Sequence, residues 1–410
     1  MNDKINEKTI EFIKNIYKQP NSVLNPTGYI YDLEIIKNNI DLLEKYAPQQ
    51  IDLYYSLKAN TNKKIVSYIR KHPFIKGIEI ASFGELEKAL EFFSFDNIIY
   101  TGPGKNEQEL EEAIKSNIKF INIESVVEAI RINNIARKLN INKVNVLVRI
   151  NLNYCVLDAY EYMSGRSTKM GIDEDQYVDA FSIISNLERV NIEGIHVFAA
   201  SGVLDYKSLI KSVKYIFNLV TKLETLTKKI NIIDVGGGLG IDYTNNNLFF
   251  DVEKYFEELS ALIKEYGFSE KRIIMELGTF IVGSAGYYTA QIIDIKEVKG
   301  HKHIIIAGGV NHMGLPLEMR RKHPVHIIPM NYEKLYDKQP YVNKELADIS
   351  GPLCMVSDKL SWDDHIEQAN IGDIVVYTQA GAYCYEEGLL NFLSHPKPEE
   401  YFVSENTYID

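Results

Sequence analysis

Short apolar segments alternate with longer amphipathic segments from about residue 50 to about residue 277. The amphipathic segments repeat their apolar positions every three or four residues, which is typical of helices packed on one face. Eight apolar segments separate them: IDLYYSL at 51, GIEIA at 77, NIIYT at 97, KFINI at 119, NVLVRI at 145, EGIHVFA at 193, NIIDV at 231 and RIIMEL at 272. Strands that alternate with helices predict a parallel sheet, and eight such units predict a TIM barrel.

Two of the amphipathic segments begin with a pattern typical of a helix start. Ser82 is followed by Glu85, and Ser125 by Glu128, each three positions later. In a capping box of this kind the serine and the glutamate bond each other's backbone amides. Both patterns therefore predict helices that begin directly after a strand.

The pattern changes after about residue 285 to shorter β-rich runs separated by Gly, Pro and Asn turns. These runs are YYTAQIIDIKEVKG, HKHIIIAGGV, HPVHIIPM and DIVVYTQAGAY. We expect residues 46–285 to form the barrel and residues 286–410 to form a C-terminal all-β domain. Residues 1–45 contain PTGYIYDLEII, which has the same alternation and is expected to add a strand to the β domain.

Composition and charge narrow the range of functions. The 410-residue chain is 45% hydrophobic and 25% charged, which is an ordinary folded composition, and its formal charge of −11 argues against nucleic-acid or anionic-membrane partners. Its three cysteines show neither a disulfide framework nor a zinc-binding spacing, so no metal is predicted. Neither a secretory signal nor a membrane span is evident, and we expect a cytoplasmic protein.

The active site of a TIM barrel lies at the carboxyl ends of its strands, so the residues that follow each apolar segment are the candidates for chemistry. Lys58 follows the first segment, and a desolvated lysine can act as an amine nucleophile toward a carbonyl, although most lysines lie on solvated surfaces. GGGLG at 236 suits a phosphate cradle but also suits a plain tight turn. The other strand-end candidates are Glu79, Ser82, Gly102, Gly104, Glu124, Arg149, His196, Ser201 and Glu276.

Six motifs occur together in one order: YYSLKAN, EIASFGEL, YTGPGK, DVGGGLG, GPLC and GAY. Over nearly its whole length the chain thereby resembles the fold-type III decarboxylases dependent on pyridoxal 5′-phosphate (PLP), which include the ornithine, arginine and diaminopimelate decarboxylases. GPGK, GYYTAQIIDIKEVKG and NFLSHPKPEEYF resemble the siderophore branch most, in which a citryl-diamino acid is decarboxylated.

The resemblance implies a homodimer whose active sites lie at the interface and which acts on a small amino acid. Lys58 would carry PLP, Glu276 would hold the pyridinium, and Cys354 would reach the partner's site as the acid that protonates the carbanion. An ordinary thiol is mostly protonated at neutral pH, although a cysteine is also commonly just a small buried hydrophobe. The other residues implied to contact the cofactor are Glu79, Arg149, His196, Phe198, Ser201, Gly236, Gly237, Gly238 and Tyr383.

Three positions depart from the family pattern. Phe198 stands where the family usually has a histidine that stacks on PLP, and phenylalanine can stack but cannot hydrogen-bond. Thr279 replaces an arginine at the phosphate. Met355 replaces the acid that follows the catalytic cysteine in the free-diamine enzymes, and an unpaired buried substrate cation beside it would be costly.

The substrate is therefore expected to carry no distal cation. Citryl-ornithine and citryl-diaminopropionate fit, with substrate contacts expected at Met355, Asp358, Arg320 and Arg321, although a basic run is more commonly a solvated turn. A decarboxylase of free ornithine, lysine or diaminopimelate is the alternative. Two further alternatives are a non-catalytic regulator of the same fold, favoured by the losses at 198 and 279, and an amino-acid racemase, which GPLC and FLSHPKP disfavour.

Overall fold

The computed structural model describes residues 5–18, 26–157, 159–226, 229–244, 246–319, 322–330, 332–404 and 408–409. They form two compact units: residues 37–241 with 249–281, and residues 1–36 with 242–248 and 282–410. The first unit is the barrel and the second is the β domain. Among the described residues, no helix is both long and apolar enough to cross a membrane.

The strands of the first two thirds of the chain are β1 (Thr27–Asp32), β2 (Ile51–Ser56), β3 (Ile75–Ile80), β4 (Ile98–Tyr100), β5 (Phe120–Ile123), β6 (Val144–Asn151), β7 (Glu161–Tyr162), β8 (Ile172–Asp173), β9 (Val190–His196), β10 (Ala200–Ser201), β11 (Ile232–Asp234) and β12 (Arg272–Leu277). The remaining strands are β13 (Gly286–Val298), β14 (His301–Ile306), β15 (Val325–Ile328), β16 (Val342–Ser350), β17 (Lys359–Ala369), β18 (Ile374–Tyr377), β19 (Glu399–Val403) and β20 (Tyr408–Ile409).

The helices are α1 (Glu7–Tyr17), α2 (Leu33–Tyr46), α3 (Lys63–Arg70), α4 (Phe83–Leu90), α5 (Glu107–Lys115), α6 (Val126–Lys138), α7 (Tyr177–Ser185), α8 (Tyr206–Glu224), α9 (Val252–Glu265), α10 (Thr279–Val282) and α11 (Leu315–Met319).

The barrel closes through eight parallel strands in the order β2, β3, β4, β5, β6, β9, β11 and β12, with β12 pairing back to β2. All eight predicted segments are these strands, and the predicted fold class is confirmed. Large apolar side chains fill the barrel interior. Because the helices cover the outer face of the same strands, both faces are buried and the strand sequences are nearly continuous apolar runs. One buried cluster contains Tyr54, Ile99, Phe120, Leu147 and Ile274.

The helix caps differ in detail from the predicted boxes. Ser82 Oγ accepts a hydrogen bond from the Glu85 amide at 3.2 Å, but the Glu85 carboxylate accepts from the Ala81 amide rather than from that of Ser82. The start of α6 repeats this arrangement. A complete box occurs at the start of α5, where Asn106 and Glu109 bond each other's amides. An asparagine cap is as effective as serine, so a search limited to serine misses it.

The β domain is organised by β13, a thirteen-residue strand. Its first half pairs with β1 and β18, and after a bulge near Ile292 its second half pairs with β14. Strand β14 continues through parallel β16 to antiparallel β17. Helix α1 packs its apolar face on this unit, in a buried cluster that includes Ile13, Tyr17 and Tyr287.

Candidate active site

Lys58 lies at the carboxyl end of β2, in a short 3-10 turn between two fully buried neighbours. Its side chain is 35% exposed, and its Nζ is 3.1 and 3.0 Å from the two carboxylate oxygens of Glu79. Glu79 is fully buried on β3, beside the end of β2. The lysine at the end of this buried strand is therefore held by a carboxylate from the next strand, while its amine still reaches the open end of the barrel.

Two further buried ion pairs follow around the same rim. Arg149 at the end of β6 donates to Glu124 at 2.7 Å, and the second Glu124 oxygen accepts from the Gly171 amide at 2.6 Å. Lys105 lies 2.9 Å from Glu128 and also donates to the backbone carbonyl of residue 122. All four charged side chains are less than 7% exposed. Each buried charge on this side is thus paired and hydrogen-bonded, as burial requires.

The opposite side of the rim holds two buried acids in contact. Asp234 at the end of β11, Glu276 on β12 and His196 at the end of β9 bring one ligand atom each within 4.8 Å of one another. Asn122 lies among them, with its amide nitrogen 3.1 Å from His196 Nδ1 and 3.4 Å from Glu276 Oε1. The Asp234 carboxylate also accepts from the Gly236 amide at 2.9 Å.

Burial controls the protonation of this cluster. Burial raises the pKa of Asp234 to about 7, and burial together with the charge of Asp234 raises the pKa of Glu276 well above its usual value. Burial, followed by the charge of Arg149, lowers the pKa of His196 well below its usual range. The imidazole is therefore neutral, and its 3.5 Å approach to Glu276 is not an ion pair. The two acids share a proton because two adjacent buried carboxylates cannot both ionise.

Three polar atoms of this cluster have no hydrogen-bond partner although they are buried. They are Asn122 Oδ1, His196 Nε2 and Asp234 Oδ2. Buried polar atoms are satisfied in most proteins, and an exception calls for a specific explanation such as a missing ligand. The cluster therefore offers polar groups to a ligand at the carboxyl ends of the strands.

The glycine run after β11 is required by close packing. Gly236 has φ +65°, and a Cβ there would lie 2.8 Å from Phe198 Cδ2. A Cβ on Gly237 would lie 2.2 Å from the Glu276 carbonyl oxygen, and one on Gly238, at φ +102°, would lie 2.7 Å from that of Ala200. Glycine is thus needed at all three positions by space or by backbone conformation, which suits both a tight turn and a phosphate cradle.

Phe198 follows β9 and is half-buried, with its ring centroid 5.9 Å from Lys58 Nζ. Ser201 is also half-buried, in the two-residue strand β10. The barrel therefore gathers the predicted residues Lys58, Glu79, Arg149, His196, Phe198, Ser201, Gly236, Gly237, Gly238 and Glu276 at the carboxyl ends of its strands or directly after them.

The other predicted residues belong to the β domain. Cys354 is exposed and Met355 is half-buried. Asp358 is buried, and its carboxylate accepts from the amides of Val310 at 2.8 Å and Leu353 at 2.7 Å, so it holds two loops together. Arg320 and Arg321 lie outside the described residues.

Tyr383 of the β domain has φ +64°. A bulky residue in this left-handed region is strained, and such strain is found preferentially at ligand-binding positions. Tyr383 stays a predicted phosphate contact.

The polar rim residues Asn122, Asp234 and Lys105 are not among the predicted site residues. Asn122 and Asp234 lie inside apolar runs, FINIE and NIIDV. Asn122 has the same strand parity as Glu124, so both point to the same face of β5 and its extension. A polar side chain within an otherwise buried strand is the signal that identifies both.

Comparison with known proteins shows the family of this chain. Residues 33–283 match the family model described as "Pyridoxal-dependent decarboxylase, pyridoxal binding domain". The chain is 30% identical over 386 residues to 2-[(L-alanin-3-ylcarbamoyl)methyl]-2-hydroxybutanedioate decarboxylase of Staphylococcus aureus, covering 92% of this chain and 94% of that one. It is 31% identical over 389 residues to L-glutamyl-[BtrI acyl-carrier protein] decarboxylase of Niallia circulans, covering 93% and 89%.

Among solved structures, diaminopimelate decarboxylase from Helicobacter pylori complexed with L-lysine superposes with a TM-score of 0.83 at 25% identity. The match covers 93% of this chain and 92% of that one.

Proposed function

This chain belongs to the pyridoxal-dependent decarboxylases, and we propose that its substrate is an L-amino acid whose distal nitrogen carries a citryl group, made for siderophore assembly. The predictions of an amino-acid carboxy-lyase and of PLP as its cofactor are confirmed by these similarities. The substrate and the role of each residue are the parts that we propose.

The residues present fit PLP. An amine at the end of β2, a close-packed glycine cradle after β11, and a buried cluster with unsatisfied polar atoms between them match an aldehyde, a phosphate and a pyridine nitrogen. When bound, PLP supplies an electron sink for the pair left on the α-carbon as carbon dioxide departs.

We assign the binding roles from this arrangement. Lys58 would hold the cofactor covalently and Glu276 would hold its ring nitrogen, with the proton that Glu276 shares with Asp234 available for that contact. Phe198 would lie against the ring, and His196, which is neutral, would add no charge beside it. Gly236, Gly237, Gly238, Ser201 and Tyr383 would bind the phosphate, with Glu79 and Arg149 fixing the lysine and the rim.

The substrate proposal depends on Met355, a half-buried residue that directly follows Cys354, the proposed catalytic cysteine. A thioether cannot neutralise a distal ammonium, whereas an acylated nitrogen brings no charge to that position. The name of the staphylococcal relative describes a substrate of this kind, a hydroxybutanedioate joined through an amide to C3 of alanine. Arg320 and Arg321 remain our proposed partners for its carboxylates.

A competition between substrates tests this proposal. We would measure carbon dioxide release with citryl-diaminopropionate and citryl-ornithine, and with free ornithine, lysine, diaminopimelate and diaminopropionate. A citryl conjugate should give the highest kcat/KM. The contrary result, a free diamino acid that outperforms both conjugates, would favour the alternative suggested by the diaminopimelate decarboxylases among the relatives.

A Met355→Asp variant sharpens the comparison. It should lose activity on the conjugates, because a new carboxylate faces an uncharged amide, while activity on free diamino acids stays equal or rises. A parallel loss on both classes of substrate would indicate general damage to the loop rather than a change of specificity.

We further propose that the enzyme is a homodimer with Cys354 of one subunit protonating the α-carbon in the site of the other. In support, Cys354 is exposed and the nearby Val356 is 92% exposed, a pattern typical of a contact surface. Hybrid dimers of inactive Lys58→Ala and Cys354→Ala chains should recover part of the activity, since one of their two sites is intact. A hybrid that stays inactive would mean that each chain completes its own site.

We place the enzyme in a reducing cytoplasm. Cys155, Cys354 and Cys384 are all within the described residues, and none of them forms a disulfide.

A further inference from the structure

Two histidines and an aspartate converge on one face of the β domain, within a single unit of the structure. His301 and His303 are alternate residues of β14, so their side chains point to the same face. Strand β16 runs parallel to β14 and places Asp348 opposite His303. Three side chains that can each ligate a metal are therefore brought together by strand pairing.

The distances are close to those of a metal site. His301 Nε2 lies 3.1 Å from one Asp348 oxygen, and His303 Nδ1 lies 3.8 Å from the other. One ligand atom from each residue lies within 4.8 Å of the other two. Donors around a tetrahedral zinc lie about 3.4 Å apart, because each is about 2.0–2.1 Å from the ion. Small side-chain rotations would suffice to place all three on one ion.

We propose that His301, His303 and Asp348 bind a divalent transition-metal ion such as zinc. Imidazole and carboxylate are suitable ligands for this class of ion, and three protein ligands leave a position for water. The two histidines are 35% and 25% exposed, so an ion from solvent can reach them, while Asp348 is almost buried.

The surroundings of Asp348 also favour ligation. The Asp363 amide donates to Asp348 at 3.0 Å and fixes the carboxylate orientation, as outer groups do around metal ligands.

One residue competes with the ion. Lys359, at the start of β17, pairs with Asp348 at 2.5 Å, and its side chain is 35% exposed. A metal ion must displace this ammonium from the shared carboxylate oxygen. Removing the lysine charge should therefore strengthen metal binding, which is the opposite of what a merely structural ion pair predicts.

The same sheet offers a matched control. His365 on β17 lies 3.5 Å from Glu367, two positions along the strand, and both side chains are more than half exposed. This pair has a carboxylate and an imidazole but lacks the second histidine of the cluster. A His365→Gln variant should leave metal binding unchanged.

The test is a zinc titration of untagged, PLP-loaded enzyme against a chromophoric chelator in metal-free buffer. Wild type should bind one zinc per chain at this site. The His301→Gln/His303→Gln double variant should bind at least about tenfold more weakly, and Lys359→Met about tenfold more tightly, within the range seen when groups around a metal are changed.

The proposal is overturned if the double variant keeps the affinity and stoichiometry of wild type, or if Lys359→Met weakens binding. Thermal midpoints provide a second readout because an ion that binds only the folded state raises the midpoint. Zinc should raise that of wild type and of His365→Gln but not that of the double variant. Decarboxylase activity of each variant without zinc serves as the folding check, since none of these residues belongs to the proposed PLP site.

Discussion

The two sides of the barrel rim treat buried acids in different ways. On the side formed by β2 to β6, each buried glutamate is paired with a cation, as Glu79 is with Lys58 and Glu124 with Arg149. On the side formed by β9 to β12, Asp234 and Glu276 lie against each other and a neutral histidine instead of being paired with a lysine or arginine of the described chain. The first side pairs its buried glutamates with cations, while the second holds a shared proton. Buried atoms without a hydrogen-bond partner occur on both sides, at Asn122 Oδ1 on β5 and at His196 Nε2 and Asp234 Oδ2.

This difference indicates which side is prepared for a ligand. A buried charge that is already paired gains little interaction energy from a ligand, since its hydrogen-bonding capacity is already used. A carboxyl pair with a raised pKa still has a proton that it could share with a basic ring nitrogen. Lys58 would be the exception on the paired side if it carries the cofactor as proposed, because its amine is now paired with Glu79.

The largest expected effect on activity comes from removing the amine of Lys58. Lys58→Ala should lower kcat/KM by roughly a thousandfold or more, the scale of losing a covalent catalytic group. Purified wild type should be yellow, and borohydride should fix the cofactor on Lys58, as peptide mass mapping would show. A label on another lysine would contradict the assignment of the cofactor-bearing residue.

Lys64 on the first turn of α3 is the matched control for labelling, because it is exposed and lies outside the rim. Lys64→Ala should remain yellow and keep wild-type activity.

The next largest effect should be a loss of stability when the buried ion pair of Lys105 and Glu128 is broken. Lys105→Met leaves Glu128 as a buried charge without its lysine, which should cost about 3–5 kcal/mol of the free energy of unfolding. Chemical denaturation of the cofactor-free protein measures it. The exposed Lys63–Glu91 pair is the control, and Lys63→Met should cost less than about 1 kcal/mol.

A double variant distinguishes an unpaired charge from lost packing. Lys105→Met/Glu128→Gln should recover most of the stability, because no buried charge is left while the glutamine can still accept from the Glu124 amide. If the double variant is as unstable as Lys105→Met, the ion pair is not what the lysine contributes.

The proton shared by Asp234 and Glu276 should make the stability of the protein depend on pH. The folded pKa of Asp234 is about 7, and an unfolded aspartate titrates near 3.9. The bound proton therefore stabilises the folded state fully below about pH 4, and this stabilisation is lost as the pH rises through 7. The cofactor-free protein should lose up to about 1.4 kcal/mol per pH unit over that window.

Asp234→Asn should flatten this part of the stability profile, measured by urea denaturation between pH 4 and pH 8. Burial also raises the pKa of Glu85 to about 7, so Glu85→Gln serves as the control for a second proton of the same kind. A profile whose slope disappears in Glu85→Gln and persists in Asp234→Asn would exclude the shared proton as its source.

The strands of the barrel are easier to predict from sequence than those of the β domain. The barrel strands are recognisable because both of their faces are covered and they read as apolar runs. Strands β16 and β17 are not predicted, since VNKELADIS exposes four consecutive residues and KLSWDDHIEQA exposes Glu367 and Gln368 side by side, so neither alternates strictly. A strand that is half polar resembles a loop unless its alternation is strict.

The site shows the same limit. Lys58 and Glu276 follow from their places at strand ends, because the barrel fold dictates where chemistry occurs. The pairing of Glu124 with Arg149, or of Asp234 with Glu276, depends on which strands are neighbours once the barrel closes. The His301, His303 and Asp348 cluster has the same origin, since only the β14–β16 register brings the aspartate to the histidines.

The smallest expected effect concerns Phe198, which stands near Lys58 on the paired side and beside Gly236 on the other. Phe198→His restores the usual family residue and keeps an aromatic face, so the PLP dissociation constant should change less than about threefold. Phe198→Leu removes the ring and should weaken PLP binding by about 2- to 12-fold, the value of one aromatic contact. Fluorescence titration of cofactor-free protein measures both. If the Phe198→Leu variant binds PLP as tightly as wild type, the ring of Phe198 does not stack on the cofactor. Phe198 would then serve only to pack against the glycine cradle.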